Sequence, residues 1–516
     1  MSKKKKISIF VITAVVILAA SAAVWFFMSH IFVDGKPYAK NAQYLDLRGK
    51  KISVSHYEAV QEKLPGCDID WDVPFQGTAY PENTGKVSFT TLTEEDLHAL
   101  DYLPQLKTAD AVGCTDYEMI QQLKQRHPNC EVLYTVTVDG REYDQDAKRV
   151  SVDYLTEADV ALLAYLPKLK AVEAENCTDY EQLLALQQAN PKLEVSYSVP
   201  LMGEMYSSDT RELVLPDGDM QQLQQNLKYL TSLETVEIQM PTCSAEELLA
   251  LRESYPDVAI HWQKEILGKV FSTRDAEIDL TKTKMETLDE VKAQMAYFPD
   301  AEKLILIGCG IDNDTLAAYR DEVREDYKVV WAVKVGTLQV RTDAEYFMPI
   351  KYDVIVNGYM CRNLKYCEDM LCVDLGHMQI LELDFVKGMP KLKYLIICDC
   401  ELTFIEPLST CKSLIYLELF DTNIYDYTPL LGCTALEDLN LAVTRGDPRV
   451  LGEMTWLKNL WLNKNGVSQE DRAYLREKLP NTTLEFDHGW ITGNGWRQLQ
   501  NYFDMRDLLG MNYNVW

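Results

Sequence analysis

The hydrophobic pattern changes character three times along the chain. Lys3, Lys4, Lys5 and Lys6 open it, followed by an uncharged run from Ile7 to Val33 whose polar members are Ser8, Thr13, Ser21, Ser29 and His30. That run exceeds the ~20 residues a helix needs to cross a bilayer. Ala20-Ser21-Ala22 resembles a cleavage site, but the apolar run continues through Val24-Trp25-Phe26-Phe27-Met28, which favours an uncleaved anchor over a signal peptide. Basic flanks prefer the cytoplasmic side, so the expectation is one crossing with the N-terminus inside and residues 34–516 outside.

Beyond the run the sequence repeats itself. LTEEDLHALDYLPQLK at 92–107 returns as LTEADVALLAYLPKLK at 155–170, and Cys114-Thr115-Asp116-Tyr117-Glu118 returns as Cys177-Thr178-Asp179-Tyr180-Glu181. Strand-like runs closed by Gly77, Gly140, Gly203, Gly268 and Gly336 mark five units of about 63 residues within 34–340. Inside each lies L-x-x-L-x-L-x-x-C, as in Leu106, Ala109, Ala111, Cys114, and this resembles the leucine-rich repeat. Such a repeat takes 20–29 residues per turn, so each unit has room for three, its third strand alternatively serving in a hairpin. Between strands, DLHALDYL and YEMIQQLKQRH place apolar residues at helical spacing.

From Met370 the rhythm tightens. Met370, Leu392, Leu414 and Leu436 stand 22 apart and Leu457 follows after 21; Cys367, Met389, Cys411, Cys433 and Met454 precede them as a second ladder. The stretch 341–369 breaks the rhythm and reads as a junction or elbow, with the regular repeats spanning 370–486. Residues 487–516 leave the pattern, and Trp490, Trp496, Tyr502, Phe503, Met505, Leu508, Met511 and Trp516 read as a cap over the open end of the last turn.

Composition narrows the function. The chain has 516 residues and a formal net charge of −28, and residues 34–516 carry 47 basic against 79 acidic residues. A body this acidic excludes a nucleic-acid binder, whose affinity comes from Lys and Arg on phosphates. The thirteen cysteines recur with the repeats, which marks them as small buried hydrophobes, and their spacing fits no zinc site. No HExxH, GxSxG or phosphate-loop motif occurs, so no catalytic residue, metal or cofactor is expected. His488 beside Asp487 and Trp490 is the one tempting local cluster.

A binding surface is the stronger expectation. In L-x-x-L-x-L the leucines point inward and the intervening residues face the concave side, because side chains alternate along a strand. One column is Asp374, Ile396, Glu418, Asn440 and Trp461; beside it stand Tyr394 and Tyr416, then Cys398 and Phe420, then Asp399 and Asp421. Tyr394, Ile396, Asp399, Tyr416, Glu418, Phe420, Asp421, Asn440 and Trp461 are therefore the candidate ligand-binding residues, read as an exposed patch of aromatics and acids. The matching positions of the long units hold Asp46, Asp110, Glu173 and Glu237, an acidic ladder read as solvated.

The motifs LPxLK, CTDYE and VPxxG, with the ending TGNGWRQLQNYFDMRDLLGM, resemble exported, membrane-anchored leucine-rich-repeat proteins of Gram-positive, often anaerobic, bacteria. The resemblance implies an α/β leucine-rich-repeat solenoid, a horseshoe, preceded by one transmembrane helix at 7–33 and a basic cytoplasmic tip at 1–6. It implies a cell-surface binding protein whose partner is a protein, a peptide or a wall or host glycan. A non-catalytic envelope scaffold is the alternative, and an envelope hydrolase the remote one. No LPxTG-type sorting signal is present, so attachment to the wall by sortase is not implied.

Overall fold

A computed structural model describes residues 3–217, 219–486, 489–493 and 495–511. The first element is a helix, Lys3–Ser29, whose stretch Phe10–Ser29 is long and apolar enough to cross a membrane and has none of its length buried against the described residues. The remainder is an α/β leucine-rich-repeat fold of short parallel strands; the chain, helix included, divides into two compact units, one of Met1–Arg211 with Gln221–Leu233, the other of Glu212–Met220 with Glu234–Trp516. The division falls within the long repeats rather than at 341–369.

Each complete long unit is both things the sequence allowed. Three strands pair in parallel, as in Lys86–Ser88, Thr108–Ala111 and Glu131–Val138, joined by the helices Glu94–Leu100 and Tyr117–Arg126. The third strand then runs on into an antiparallel hairpin with Arg141–Asp144. Thr93 and Asp96 close the first helix in a capping box, and Thr156 with Asp159 repeats it 63 residues later. The glycines that mark the units are hairpin turns: Asp139 and Gly140 both take positive φ, as do Met202 with Gly203 and Leu267 with Gly268. That pair of left-handed residues makes the two-residue turn whose twist matches the flanking strands.

Five aromatics anchor these units, although no single repeated letter marks them. Trp71, Tyr134, Tyr197 and Trp262 stand six residues ahead of the closing glycine and Trp331 five, all of them buried. Tyr134 donates its hydroxyl to the Tyr165 carbonyl at 2.7 Å, Tyr197 to that of Tyr229 at 2.7 Å, and Trp262 donates Nε1 to that of Tyr297 at 2.8 Å. Each of these three is a rung from one unit to the next.

The regular repeats build one seven-stranded parallel sheet, ordered Tyr346–Phe347, Cys372–Asp374, Tyr394–Ile396, Tyr416–Glu418, Asp438–Asn440, Asn459–Trp461 and Thr483–Glu485. Its first strand lies inside 341–369, so the stretch read as an elbow already belongs to this sheet. Short 3-10 turns such as Asp384–Gly388 and Glu406–Thr410 return the chain, where the long units use helices. They stack tightly: a Cβ on Gly388 would sit 1.8 Å from the Lys365 carbonyl oxygen. The inward ladder of Leu395, Leu417, Leu439 and Leu460 is fully buried. After each of the five inner strands one residue turns left-handed, His377, Asp399, Asp421, Val443 and Lys464 in succession. The helix Gln469–Lys478, with Leu475, Leu479 and Phe486 in the same core as the ladder, closes the last turn.

Candidate functional site: the sheet face of the regular repeats

The alternation that sends Leu395 and Leu417 inward sends Tyr394, Ile396, Tyr416 and Glu418 to the opposite face, in parallel register with Asp438, Asn440, Asn459 and Trp461. The structure brings the expected columns together on one surface, but that surface is not exposed. Residues 490–493 and 495–511 lie across it. Tyr394, Ile396, Tyr416, Phe420 and Trp461 form one buried cluster with Trp496, Tyr502, Met505 and Leu509. Glu418 and Asn440 are 0% exposed and Trp461 is 2% exposed. Asp399 and Asp421 alone among the nine candidates face solvent, Asp399 accepting from His377 Nδ1 at 2.8 Å.

The cap expected at the array's end is thus a cover over its face. The reason is physical: the helix Gln469–Lys478 and Phe486 already seal the end, whereas the aromatic face has no repeat of its own to bury it. His488, Asp487 and Trp516 lie outside the described residues.

Glu418 is the pivot. It accepts from Trp496 Nε1 at 2.8 Å and pairs with the Arg497 guanidinium at 3.2 Å, and the Tyr416 hydroxyl donates to it as well. The Trp496 ring lies 5.1 Å from Tyr416 and 5.2 Å from Trp461, between centroids. Burial works against the Arg497 charge, but Glu418, together with Tyr416, Tyr502 and Cys398 beside it, outweighs that cost and favours the charged guanidinium. Asp374, in the same column, has its carboxyl pushed up to about 6, first by burial and further by the Glu418 charge, against the Gly376 N–H that donates to it. Burial also raises Asp438, which accepts from Asn459 at 2.7 Å and Asn501 at 2.9 Å.

A second set of bonds reads main chain. Asn440 Nδ2 donates to the Ile491 carbonyl at 3.0 Å, Trp461 Nε1 to that of Gly493 at 3.1 Å, Asn463 Nδ2 to that of Trp490 at 3.4 Å and Lys351 Nζ to that of Leu509 at 3.2 Å. Asn463 is fully buried, and its Oδ1 finds no partner among the described residues. The Trp490 side chain itself is 83% exposed.

Other places offer less. The acids expected to form a solvated ladder in the long units are each paired: Asp46 with Arg48 at 2.9 Å, Asp110 with Lys86 at 3.4 Å, Glu173 with Arg149 at 2.7 Å and Glu237 with Arg274 at 3.4 Å. A cleft of about 370 Å³ is lined by Arg320, Arg324, Lys328 and Lys391, whose charges are met by Glu368 and Asp369. His56 is buried between the Asp34 carboxylate at 2.6 Å and the Tyr38 hydroxyl at 2.8 Å, which pins the first hairpin to the helix Val54–Lys63. All thirteen cysteines are free thiols, eleven of them buried. No group of three or more His, Cys, Asp or Glu among the described residues is placed to hold a metal ion.

No family model matches the chain, and no curated protein does. Solved structures similar to it include an internalin of Listeria monocytogenes, 16% identical, covering 83% of this chain and 88% of that one at a TM-score of 0.23. A leucine-rich-repeat protein of Leptospira interrogans is 15% identical, covers 81% and 95% of the two chains and has a TM-score of 0.25. The leucine-rich-repeat ectodomain of a plant membrane receptor kinase of Arabidopsis thaliana, solved with Casparian strip integrity factor 2, is 12% identical, covers 87% and 47% and has a TM-score of 0.21. Assignment of the fold rests on the chain's own ladders.

Proposed function

We propose that this leucine-rich-repeat chain is a membrane-anchored recognition scaffold that binds a protein or peptide through the sheet face of its regular repeats. Phe10–Ser29 crosses the bilayer in this reading, with the basic tip inside and residues 34–516 extracytoplasmic. One observation carries it: Asn440, Trp461, Asn463 and Lys351 donate to main-chain carbonyls of the segment crossing the face, while Glu418 receives its Trp and Arg. Side chains of a scaffold grasping the backbone of a guest give affinity, and a buried carboxylate with a fixed cation gives selectivity. Chemistry is not asked of it; the face holds aromatics, amides and a carboxylate already engaged.

A photoreactive phenylalanine tests the assignment. Placed at Phe420 it sits on the face, and placed at Phe404, which is 77% exposed, it reports on the outer edge of the repeats. Partner adducts from position 420 and none from position 404 are expected in cells making the full chain. Adducts from position 404 alone would move recognition off the sheet and reject the reading. Protease added outside intact cells is expected to remove residues 34–516 and spare the tip.

A further inference from the structure

Three observations set residues 489–511 apart from the array they cover. The array's leucine core is complete without them: Leu395, Leu417, Leu439 and Leu460 belong to one cluster, and the cluster containing Trp496 and Tyr502 is a different one. No strand pairing joins the described part of the segment to the sheet; its bonds to the array include those from array side chains to its carbonyls and from its own side chains to Glu418, Glu437 and Asp438. The segment also has the form of a helical ligand. Gln500–Leu508 is a helix, and Tyr502, Met505 and Leu509, at spacings of three and four, are buried while Asp504 and Asp507 face solvent. That is the one-sided pattern by which an amphipathic helix fills a groove.

We infer that residues 489–511 are a built-in occupant of a peptide groove, and that the groove's external partner is an amphipathic helix presenting an indole N–H and a guanidinium to Glu418 ahead of its apolar stripe. This rests on the recognition reading above and says what the partner looks like and what it displaces. An occupant on the same chain competes at high effective concentration, on the order of millimolar for short connections. The closed chain therefore admits only a partner that matches the same features or improves on them. Asn463 Oδ1, without a partner among the described residues, gives one way to improve, since it can take a further donor.

Three full-length proteins in detergent test this. One is the wild type. The second carries Trp496→Ala with Arg497→Ala, which weakens the occupant and leaves the face as it is. The third adds Tyr416→Ala and Glu418→Gln to the second. The probe is a fluorescein-labelled peptide of residues 489–511. The second protein is expected to bind it at least about tenfold more tightly than the wild type, whose groove is filled, and the third to lose that gain. A probe with its own Trp496 and Arg497 replaced by Ala is expected not to bind; equal binding by it would overturn the indole and guanidinium assignment.

Cys372 and Cys398 lie in the covered cluster and supply a second readout. Maleimide should modify them slowly in the wild type, faster in the second protein, and slowly again once the probe is bound. If the wild type and the second protein bind equally, the built-in occupant is rejected and the recognition face stands. If both are folded by circular dichroism and neither binds, both ideas fall. If the second protein unfolds as a whole, shown by modification of the ladder thiols Cys411 and Cys433, the segment is core and the inference fails.

Discussion

The long units and the regular repeats place side chains on equivalent strand faces and use them in opposite ways. On the long units the position holds an acid in or near water, matched by a nearby base, as Glu173 is by Arg149 on the preceding strand. On the regular repeats the same alternation produces Tyr394, Tyr416, Glu418 and Trp461, all buried beneath residues 490–493 and 495–511. The backbone geometry is nearly the same. What differs is whether the sequence supplies something to cover the face. A repeat period fixes where side chains point and leaves open which of the pointed faces meets water.

The largest effect that sharpens the contrast is at the cover. Trp496→Ala empties a fully buried indole site and is expected to lower the docking free energy of the segment by about 3–5 kcal/mol. Hydrogen exchange should then accelerate across 496–509 while Leu395, Leu417 and Leu439 keep their protection; uniform acceleration would merge cover and array into one core.

Charge comes next. Glu418→Gln leaves the half-buried Arg497 guanidinium facing a neutral amide, expected to lose about 1–3 kcal/mol. Glu173→Gln, at an exposed pair, should leave the melting temperature unchanged. Equal shifts in the two variants, measured by thermal unfolding, would dissolve the distinction between the faces.

The faces should also answer acid with opposite signs. Asp374, held at about 6 in the folded protein against an ordinary 3.8, favours the folded state when protonated, so that contribution is present below about pH 4 and lost as pH rises through 6. Asp46, held down to about 2 by the Arg48 guanidinium, contributes above pH 4 and loses its contribution as pH falls toward 2. Between pH 7 and 4.5 the covered face should therefore gain stability, on the order of 2 kcal/mol, and Asp374→Asn should remove the slope. A wild-type slope unchanged by Asp374→Asn would assign it to another group.

The smallest effects are in the turns. Val443 is branched at Cβ and holds φ near 60°, and Met202 opens a two-residue hairpin turn at φ 54°. Val443→Asn and Met202→Asn, each placing a residue that tolerates the left-handed region, should raise the urea midpoint by the equivalent of about 0.5–1 kcal/mol. A lowered midpoint for Val443→Asn alone would show that its packing on the covered cluster outweighs its backbone strain.

Much of this was legible in the sequence. The 63- and 22-residue periods, the closing glycines and the inward leucines all carry their own register, because each depends on local alternation that one sequence shows. The columns through Tyr394, Glu418 and Trp461 could be drawn for the same reason. Their burial could not, since residues 487–516 have no period and two apolar surfaces, the end of the array and its face, compete for them. One signal was available. A column that sets Glu418 and Asn440 among aromatics asks for buried donors, and Trp496-Arg497 offers an indole N–H and a guanidinium side by side. The inter-unit aromatics were equally visible as a residue six places ahead of Gly77, Gly140, Gly203 and Gly268, but Trp and Tyr alternate there and no single letter repeats.

Those aromatics bear on how such a chain can change its length. Tyr134, Tyr197 and Trp262 each reach a backbone carbonyl of the following unit, and every residue except its side chain offers the same acceptor. A joint of this kind makes no demand on the identity of the neighbour, only on its register. Whole 63-residue modules could then be gained or lost by unequal recombination without new joints having to be invented, and relatives differing by one module are the variation this architecture would tolerate best.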